Sequence, residues 1–371
     1  MEKLLFRMLG SKEMVALGKW ALGIATSLKL PIAWALRPTI YNHFVGGEDL
    51  DDCLPLLNKL RDRDVFSLLD YSAEGGSTDK DTMNTYNENM AAIRFAVEHR
   101  DQLSHAVIKA SGLIDVELLV KKNENPAQLT DEENDKIELF HSRFMALCRE
   151  AYDLDIRLVI DAEHYAYQSI IDAYTEEAML QFNQHKAIVY ATLQMYRKDR
   201  WDYLQHLEQL SREKDIYIGA KLVRGAYMEE ERERAKEKGY PDPIHDCKEN
   251  TDDAYNKAAA FVLDHIDHFE LFAGTHNEES LLRIASRIDE KGLDRNDPRI
   301  YMAQLYGMGD HFTFNLSRAG YNAAKYVPYA PVDKATPYLI RRAEENTSIR
   351  GQVGRELMIR TEELKRRKKE P

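Results

Sequence analysis

The sequence predicts an α/β protein, a (β/α)8 barrel of the TIM type with additional N-terminal helices. Two observations lead to this prediction. Eight short apolar runs rich in Val, Ile and Leu alternate with longer segments of helical periodicity. A polar residue also stands at or soon after the end of each run. Continuous apolar strands separated by helices are typical of a parallel sheet buried on both faces, and eight such units favour a closed barrel over an open sheet.

The predicted elements follow one another in chain order. Residues 38–62 have leucines at helical spacing and are expected to be helical. Strands are predicted at residues 65–70, 106–109, 157–161, 187–190, 217–223, 270–274, 300–304 and 324–327. Helices are predicted at residues 83–99, 131–151, 167–183, 201–214, 251–265, 278–289 and 309–318, with a last helix opening at Pro337. Pro328 is expected to end the last strand, because proline cannot donate to a ladder.

Three parts are expected along the chain. Residues 1–62 form an N-terminal helical segment, residues 63–350 form the barrel, and residues 351–371 form a charged C-terminal helix or tail. Residues 1–40 carry six basic and two acidic residues, whereas the whole chain has a net charge of −12. Lysines and a proline interrupt the apolar stretch at 15–36, so it is too short to span a bilayer. Two interpretations stay open: short helices packed on the body, or a basic surface bearing Trp20 and Trp34 that contacts an anionic membrane.

Composition and motifs exclude several classes of protein. The negative charge argues against a nucleic-acid-binding surface. Cys53, Cys148 and Cys247 lack paired spacing, which predicts buried thiols in a reducing compartment and no zinc site. No group of His, Asp and Glu has metal-ligand spacing, and neither a Gly-x-Ser-x-Gly elbow nor a dinucleotide-binding glycine motif is present.

The strand ends carry the candidate site. Chemistry in this kind of barrel gathers at the carboxyl ends of the strands. The polar residues there are Asp70, Lys109, Asp161, Gln194, Lys221, Arg224, His276, Gln304 and Tyr326. Arg341 and Arg342 lie in the first turn of the last helix and suit a carboxylate clamp. The alternative is a solvated basic pair on a surface helix.

Seven blocks carry a resemblance to a known family. They are residues 69–75 (LDYSAEG), 107–113 (VIKASGL), 160–164 (IDAEH), 219–227 (GAKLVRGAY), 274–277 (GTHN), 304–308 (QLYGM) and 338–342 (YLIRR). In this order, they make the chain resemble the proline dehydrogenase family. The resemblance implies a distorted barrel that holds FAD and oxidises L-proline to Δ1-pyrroline-5-carboxylate, by hydride transfer from ring C5 to flavin N5. This is the first step of proline catabolism.

The resemblance also implies partners and a location. Electrons would pass to a quinone-type acceptor. A monofunctional chain would hand its product to a separate pyrroline-5-carboxylate dehydrogenase. The protein is then expected in the cytoplasm, with peripheral contact to the inner face of the membrane.

The resemblance assigns a role to each candidate residue. The substrate carboxylate would meet Arg341, Arg342 and Lys109, and Asp161 would hold the arginine cluster in place. Tyr326 would lie against the pyrrolidine ring, with Leu305 and Tyr338 as its apolar wall and Glu74 pairing with Arg341 at the entrance. The residues expected to contact FAD are Ala162, Gln194, Lys221, Val223, Gly225, Thr275, His276 and Glu345.

Two alternatives to proline oxidation stay open. One is a hydroxyproline dehydrogenase, although the bulk of Tyr326 against the ring favours proline. The other is a barrel that binds an amino acid without catalysis.

Overall fold

Eight parallel strands form one sheet that closes on itself. They are β1 (Val65–Tyr71), β2 (Ala106–Ile108), β3 (Leu158–Ile160), β4 (Val189–Gln194), β5 (Ile218–Val223), β6 (Phe269–Gly274), β7 (Ile300–Leu305) and β8 (Ala323–Tyr329). Their order is β1-β8-β7-β6-β5-β4-β3-β2. A parallel bridge between Ser67 and Leu103 joins β1 to the chain entering β2, where Ser67 N–H donates to the carbonyl oxygen of Gln102 at 2.8 Å. The predicted (β/α)8 barrel is therefore confirmed.

The computed structural model describes residues 37–72, 78–336 and 338–342. Helices in these ranges are α1 (Leu50–Arg61), α2 (Asp79–Glu98), α3 (Val116–Glu124), α4 (Asp131–Asp153), α5 (Tyr165–Phe182), α6 (Arg200–Lys214), α7 (Met228–Lys238), α8 (Lys248–Asp264), α9 (Glu278–Glu290) and α10 (Asp310–Arg318). A π-helical turn at Arg37–Tyr41 and a short helical turn at Asn42–Phe44 precede α1, and residues 338–342 are helical. The predicted membrane-facing segment, the helix start at Pro337 and the charged tail lie outside the described residues.

Local signals in the sequence explain where several helices begin. The side-chain oxygen of Thr130 accepts from Glu133 N–H, and Thr130 N–H donates to the carboxylate of Glu133. These two hydrogen bonds form a capping box at the start of α4. Thr78 and Asn277 accept from backbone N–H groups in the first turns of α2 and α9. Such caps satisfy N–H groups that have no partner inside the helix.

Several sequence predictions were wrong in detail. Helix α7 was missed because its buried residues are only Glu231 and Ala235, so no apolar periodicity marks it. Helix α3, which is short, was also missed. Strand β4 runs to Gln194, four residues beyond the predicted end. Pro328 does not end β8, which pairs with β1 through Tyr329. The ladder between β7 and β8 stops opposite Tyr326, so no described strand lies beside Pro328 on that side. The backbone N–H that proline lacks is therefore not needed there. Cys247 is exposed, not buried.

Apolar side chains form two layers of core and a cap. One layer lies between strands and helices, and another fills the barrel interior around Leu68, Val159, Tyr190 and Phe272. A third cluster joins residues near Tyr41 to those near Leu339. Residues 338–339 are therefore packed at the same end of the molecule as residues 41–45, which precede α1.

No helix in the three described ranges is both long enough and apolar enough to cross a membrane.

Candidate active site

Charged and polar side chains at the ends of four strands meet at the carboxyl end of the barrel. Lys221 on β5 places its Nζ 2.5 Å from Oδ1 of Asp161, which directly follows β3. The phenol of Tyr326 on β8 donates to Asp161 Oδ2 at 2.6 Å, and the Nζ of Lys109 lies 3.3 Å from that same oxygen. Asp161 is therefore the centre of a buried cluster. The expectation that it holds an arginine cluster stays a prediction, and its described cationic partners are lysines.

Asp70 completes this cluster, although it is absent from the set of residues that the resemblance assigned. Its Oδ1 lies 2.5 Å from the Nζ of Lys109, and its Oδ2 accepts from the hydroxyl of Ser72 at 2.5 Å. Lys109 also donates to the phenol oxygen of Tyr326 at 3.0 Å. The position of Asp70 near the end of β1 was the signal that pointed to it. Two ammonium groups thus balance two carboxylates.

The cluster controls the protonation of its members. Burial alone raises the pKa of Asp161, but the charges of Lys221 and Lys109, with hydrogen bonds from Lys221 and Tyr326, outweigh burial and lower that pKa to about 2. Burial and the nearby carboxylates raise the pKa of Tyr326 well above its ordinary value. Asp161 is therefore an anion at neutral pH, and Tyr326 is a neutral donor.

The ring of Tyr326 is fixed as well as its hydroxyl. The Nζ of Lys221 lies 4.7 Å from the ring centroid and that of Lys109 lies 5.5 Å from it. Both distances suit a cation–π contact, which is favourable when the cation is desolvated. The ring is only 8% exposed, so its position is defined by charged groups as well as by packing.

Arg341 and Arg342 approach the same end of the barrel. Arg342 is 7% exposed, and its guanidinium carbon lies 5.2 Å from the ring centroid of Tyr338. That of Arg341 lies 6.0 Å from the ring of Tyr227, which follows β5. The interpretation of a fully solvated basic pair is therefore wrong for Arg342. Tyr227 was not among the predicted site residues, although it is the last residue of the motif block at 219–227.

The two predicted wall residues belong to adjoining apolar clusters. Tyr338 is buried in the cap cluster with Met308 and Leu339. Leu305 is half-buried and packs against both this cluster and the barrel interior, which includes Tyr326. Leu305 therefore lies where the cap meets the strand ends.

The predicted FAD residues that the structure describes lie at or near the ends of β3 to β6. The amide nitrogen of Gln194 donates to the carbonyl oxygen of Ala162 at 3.4 Å. Its amide oxygen is buried and has no hydrogen-bond partner in the described ranges. Val223 ends β5, and Gly225 has a φ of +138°, a conformation that other residues rarely adopt. A Cβ on Gly225 would lie 2.4 Å from the ring of Tyr196.

Thr275 and His276 follow β6 and are also engaged. The Thr275 hydroxyl accepts from Arg224 at 2.7 Å, and His276 Nε2 lies 3.4 Å from the backbone nitrogen of Leu305. Burial, with the positive charges of Lys325 and Arg342, lowers the pKa of His276 to about 3. His276 is therefore neutral at physiological pH.

A chain of buried hydrogen bonds ties together the loops that carry these groups. The carboxylate of Glu163 accepts from Ser111 N–H at 2.8 Å, and Glu163 N–H donates to Gln168 at 2.6 Å. The side-chain amide nitrogen of Gln168 donates to Oδ1 of Asp172 at 2.8 Å, and the guanidinium group of Arg200 donates to Oδ2 of Asp172 at 2.7 Å. The loops after β2, β3 and β4 are thus held in fixed relation, which positions the side chains at those strand ends.

Glu74 and Glu345 lie outside the described residues, so their predicted roles stay predictions. In the part of the chain that the structure describes, no cluster of three or more His, Cys, Asp or Glu residues could hold a metal ion.

Comparisons with known proteins show the family of this chain. The family profile of proline dehydrogenase matches residues 53–355. Proline dehydrogenase 2, mitochondrial, of Arabidopsis thaliana is 32% identical over 407 residues, which cover 95% of this chain and 84% of the relative. The hydroxyproline dehydrogenase of Xenopus laevis is 29% identical, over 98% of this chain and 86% of that protein.

A solved structure supports the fold. The crystal structure of proline utilization A (PutA) from Bdellovibrio bacteriovorus, inactivated by N-propargylglycine, superposes with a TM-score of 0.75 at 19% identity. The match covers 86% of this chain and 34% of PutA, so the chain spans about a third of that protein's length. The barrel, the family profile and the plant relative lead to one conclusion: the chain belongs to the proline dehydrogenase family of oxidoreductases.

Proposed function

We propose that this protein oxidises L-proline to Δ1-pyrroline-5-carboxylate with FAD, as the first step of proline catabolism. The observation that carries the proposal is the buried cluster of Lys109, Asp161, Lys221 and Tyr326 at the carboxyl end of the barrel, with Arg342 buried at the same end. Buried groups of ionisable side chains with shifted pKa values are often found at binding and catalytic sites.

The two arginines support an anionic group on the substrate. The ammonium groups of Lys109 and Lys221 are balanced by Asp70 and Asp161, so these four residues add no net charge. The guanidinium group of Arg342 adds a further positive charge at a nearly buried position. Guanidinium groups bind carboxylates through paired hydrogen bonds, so Arg342 and Arg341 suit the carboxylate of an amino acid.

The buried amide of Gln194 supports a bound cofactor. Buried polar atoms are nearly always hydrogen-bonded, and the amide oxygen of Gln194 lacks a partner among the residues that the structure describes. The residues present fit FAD, which would be held by Ala162, Gln194, Lys221, Val223, Gly225, Thr275, His276 and Glu345. When bound, FAD supplies the N5 acceptor for the hydride that leaves ring C5 of proline.

The protein's own residues bind the substrate and orient it toward the cofactor. Arg341, Arg342 and Lys109 hold the carboxylate, and Glu74 pairs with Arg341 at the entrance. Leu305, Tyr338 and the Tyr326 ring enclose the pyrrolidine so that C5 is aimed at the cofactor. Asp161 fixes Tyr326 and the two lysines. With a pKa of about 2, its carboxylate is too weak a base to take the proton of the proline nitrogen.

The proposal extends to partners and location. Electrons pass on to a quinone-type acceptor, and the product is consumed by a separate pyrroline-5-carboxylate dehydrogenase. The basic N-terminal segment, of which residues 1–36 lie outside the described ranges, makes peripheral contact with the inner face of the membrane while the protein is cytoplasmic. The excess of basic residues in 1–40 supports this contact. The boundaries at 62/63 and 350/351 are part of the same proposal.

Hydroxyproline is the second candidate substrate, because a hydroxyproline dehydrogenase is among the relatives. Tyr326 argues for proline: its hydroxyl is held by Asp161 and Lys109, so the ring cannot swing aside to admit a substituent. Purified protein should turn over proline with a higher kcat/KM than hydroxyproline. The reverse order would overturn this choice.

The test of the proposed function is an anaerobic titration of the FAD-loaded protein with L-proline. The flavin absorbance should bleach as proline is added, and an equal addition of L-alanine should leave it unchanged. A protein that binds proline but never reduces FAD would be a non-catalytic amino-acid-binding barrel. A protein that stays colourless after incubation with FAD would refute the cofactor assignment.

A further inference from the structure

Lys325 is a lysine that is almost completely buried on the outer side of the barrel. Its neighbours Ala324 and Tyr326 belong to the barrel interior, so strand alternation turns the Lys325 side chain outward, toward the shell of helices. The residue is 1% exposed. Burial of an ammonium group is unfavourable unless hydrogen bonds and an opposite charge compensate for it.

The compensation comes from one turn. The Nζ of Lys325 donates to the carbonyl oxygen of Met308 at 2.5 Å and to that of Leu305 at 3.4 Å. It also lies 2.8 Å from Oδ1 of Asp310, the first residue of α10. These three groups belong to the segment that connects β7 to α10, which we call the β7–α10 turn (residues 305–310). One side chain of β8 therefore makes two hydrogen bonds and one ion pair with the turn.

The β7–α10 turn needs such a support because its own conformation is unusual. Gly307 and Gly309 have φ angles of +80° and +63°. A Cβ on Gly307 would lie 2.3 Å from the carbonyl oxygen of His43, so the turn also passes close to the chain that enters the barrel. The glycines allow this backbone conformation, but they do not stabilise it, because glycine has the greatest conformational freedom of all residues.

The turn is connected to the candidate site at both ends. It begins at Leu305, whose backbone nitrogen lies 3.4 Å from Nε2 of His276. The Met308 side chain packs in the cap cluster with Tyr338 and Leu339, next to the helical residues that carry the two arginines. A shift of the turn would therefore move the wall of the proline pocket and the partner of His276.

We propose that Lys325 is a positioning residue for the proposed proline oxidation: its ammonium group fixes the β7–α10 turn, so that Leu305 closes the proline pocket and His276 keeps its orientation. The inference rests on the proposed function. Lys325 itself faces away from the interior and does not share the pocket side of β8 with Tyr326. Its influence reaches the substrate through Leu305, Met308 and His276.

The experiment compares Lys325→Met with Arg157→Met in FAD-loaded protein. Methionine fills the space of either side chain but cannot bind the oxygens. Arg157 is the matched control. It lies just before the start of β3, away from the candidate site. Its Nε is 2.7 Å from the buried carboxylate of Glu270. Stopped-flow reduction of the flavin by proline gives both the proline Kd and the limiting rate, and thermal unfolding gives the stability of each variant.

We expect Lys325→Met to raise the proline Kd by about fivefold to tenfold while the limiting rate changes by less than about twofold, since a displaced wall weakens binding more than chemistry. Arg157→Met should lose a similar amount of thermal stability and keep the wild-type Kd. If both variants lose stability and both keep the wild-type Kd, Lys325 is only a structural lysine and the inference is overturned.

A second variant decides the matter if Lys325→Met does not fold. Asp310→Asn keeps the lysine and removes the charge that holds it, and we expect a rise in proline Kd of about twofold to threefold, because one of several contacts is weakened. An unchanged Kd in Asp310→Asn would then overturn the inference. Failure of the proposed function looks different, because the wild-type protein itself would show no flavin reduction by proline.

Discussion

The phenol oxygen of Tyr326 donates a hydrogen bond of 2.6 Å to Oδ2 of Asp161, which lies 165 residues earlier in the chain. The bond crosses the mouth of the barrel, since β8 and β3 are not neighbours in the sheet. It joins the one buried phenol of the cluster to the carboxylate that also binds Lys221 and Lys109. The charged groups of the site are therefore linked in one network, so replacing one of them is expected to affect the position and protonation of the others.

Replacement of Asp161 by Asn should be strongly destabilising. The amide keeps the shape but leaves Lys221 and Lys109 short of one negative charge in a buried place. Breaking such a pair costs about 3–5 kcal/mol, which equilibrium urea unfolding can measure. Asp264→Asn is the control, since its ion pair with Arg287 lies on the surface and should contribute less than about 1 kcal/mol. Equal small effects in both variants would contradict the prediction.

The contribution of Asp161 should also depend on pH in a defined direction. Its pKa falls from 3.8 to about 2 on folding, so the unfolded state binds the proton more readily between these values. The stability that Asp161 contributes is then complete above pH 3.8 and is lost as the pH falls through about 2. The free-energy difference between wild type and Asp161→Asn should stay constant from about pH 5 to about pH 8 and shrink below about pH 4. A difference that declines above pH 5 would be inconsistent with this cause.

His276 should make the protein less stable in mild acid. Its pKa of about 3 lies below the ordinary value of 6.5, so the unfolded chain binds more protons between the two and native stability falls as the pH drops through that range. His276→Gln removes this loss. Between pH 7 and pH 5 the wild type should lose about 2 kcal/mol relative to the variant. The exposed His185→Gln is the control, and two parallel stability curves for wild type and His276→Gln would refute the assignment.

Arg342→Ala tests the proposed carboxylate clamp. Loss of hydrogen bonds to a charged group should raise the proline Kd by about 10-fold to 100-fold. Flavin should still bind, because all the residues proposed to hold it are intact, and its visible spectrum reports this directly. Arg283→Ala removes an arginine from the surface and should leave the proline Kd unchanged. A wild-type Kd in Arg342→Ala would exclude this arginine from the clamp.

Gly225→Ala tests the backbone after β5. Its φ of +138° is strained for alanine, and the added Cβ would lie 2.4 Å from the Tyr196 ring. We expect a loss of about 2–4 kcal/mol in unfolding free energy, together with weaker FAD retention on gel filtration. Gly239→Ala is a matched control, because Gly239 also has a positive φ but has open space around it. A Gly225→Ala variant as stable as Gly239→Ala would show that Tyr196 yields without cost.

Much of the fold could be predicted because its signals are local. Buried parallel strands are apolar along their whole length, and the helices between them repeat with helical period, so their order follows from short windows of sequence. Helix α7 could not be predicted this way, because it lies on the surface with almost no apolar face. The extension of β8 through Pro328 depended on which side of the strand had a neighbour, which no local window contains.

The sequence by itself determined the barrel, the polar residues at the ends of its strands and the resemblance of the motif blocks, because each depends on residues close together in the chain. Only the tertiary structure decided which charges meet. Asp70 joins Lys109, Lys221 joins Asp161, and Lys325 turns outward to hold the β7–α10 turn. Those pairings depend on strand order, closure of the sheet and the inward or outward direction of each side chain, and a difference of one position along a strand reverses that direction.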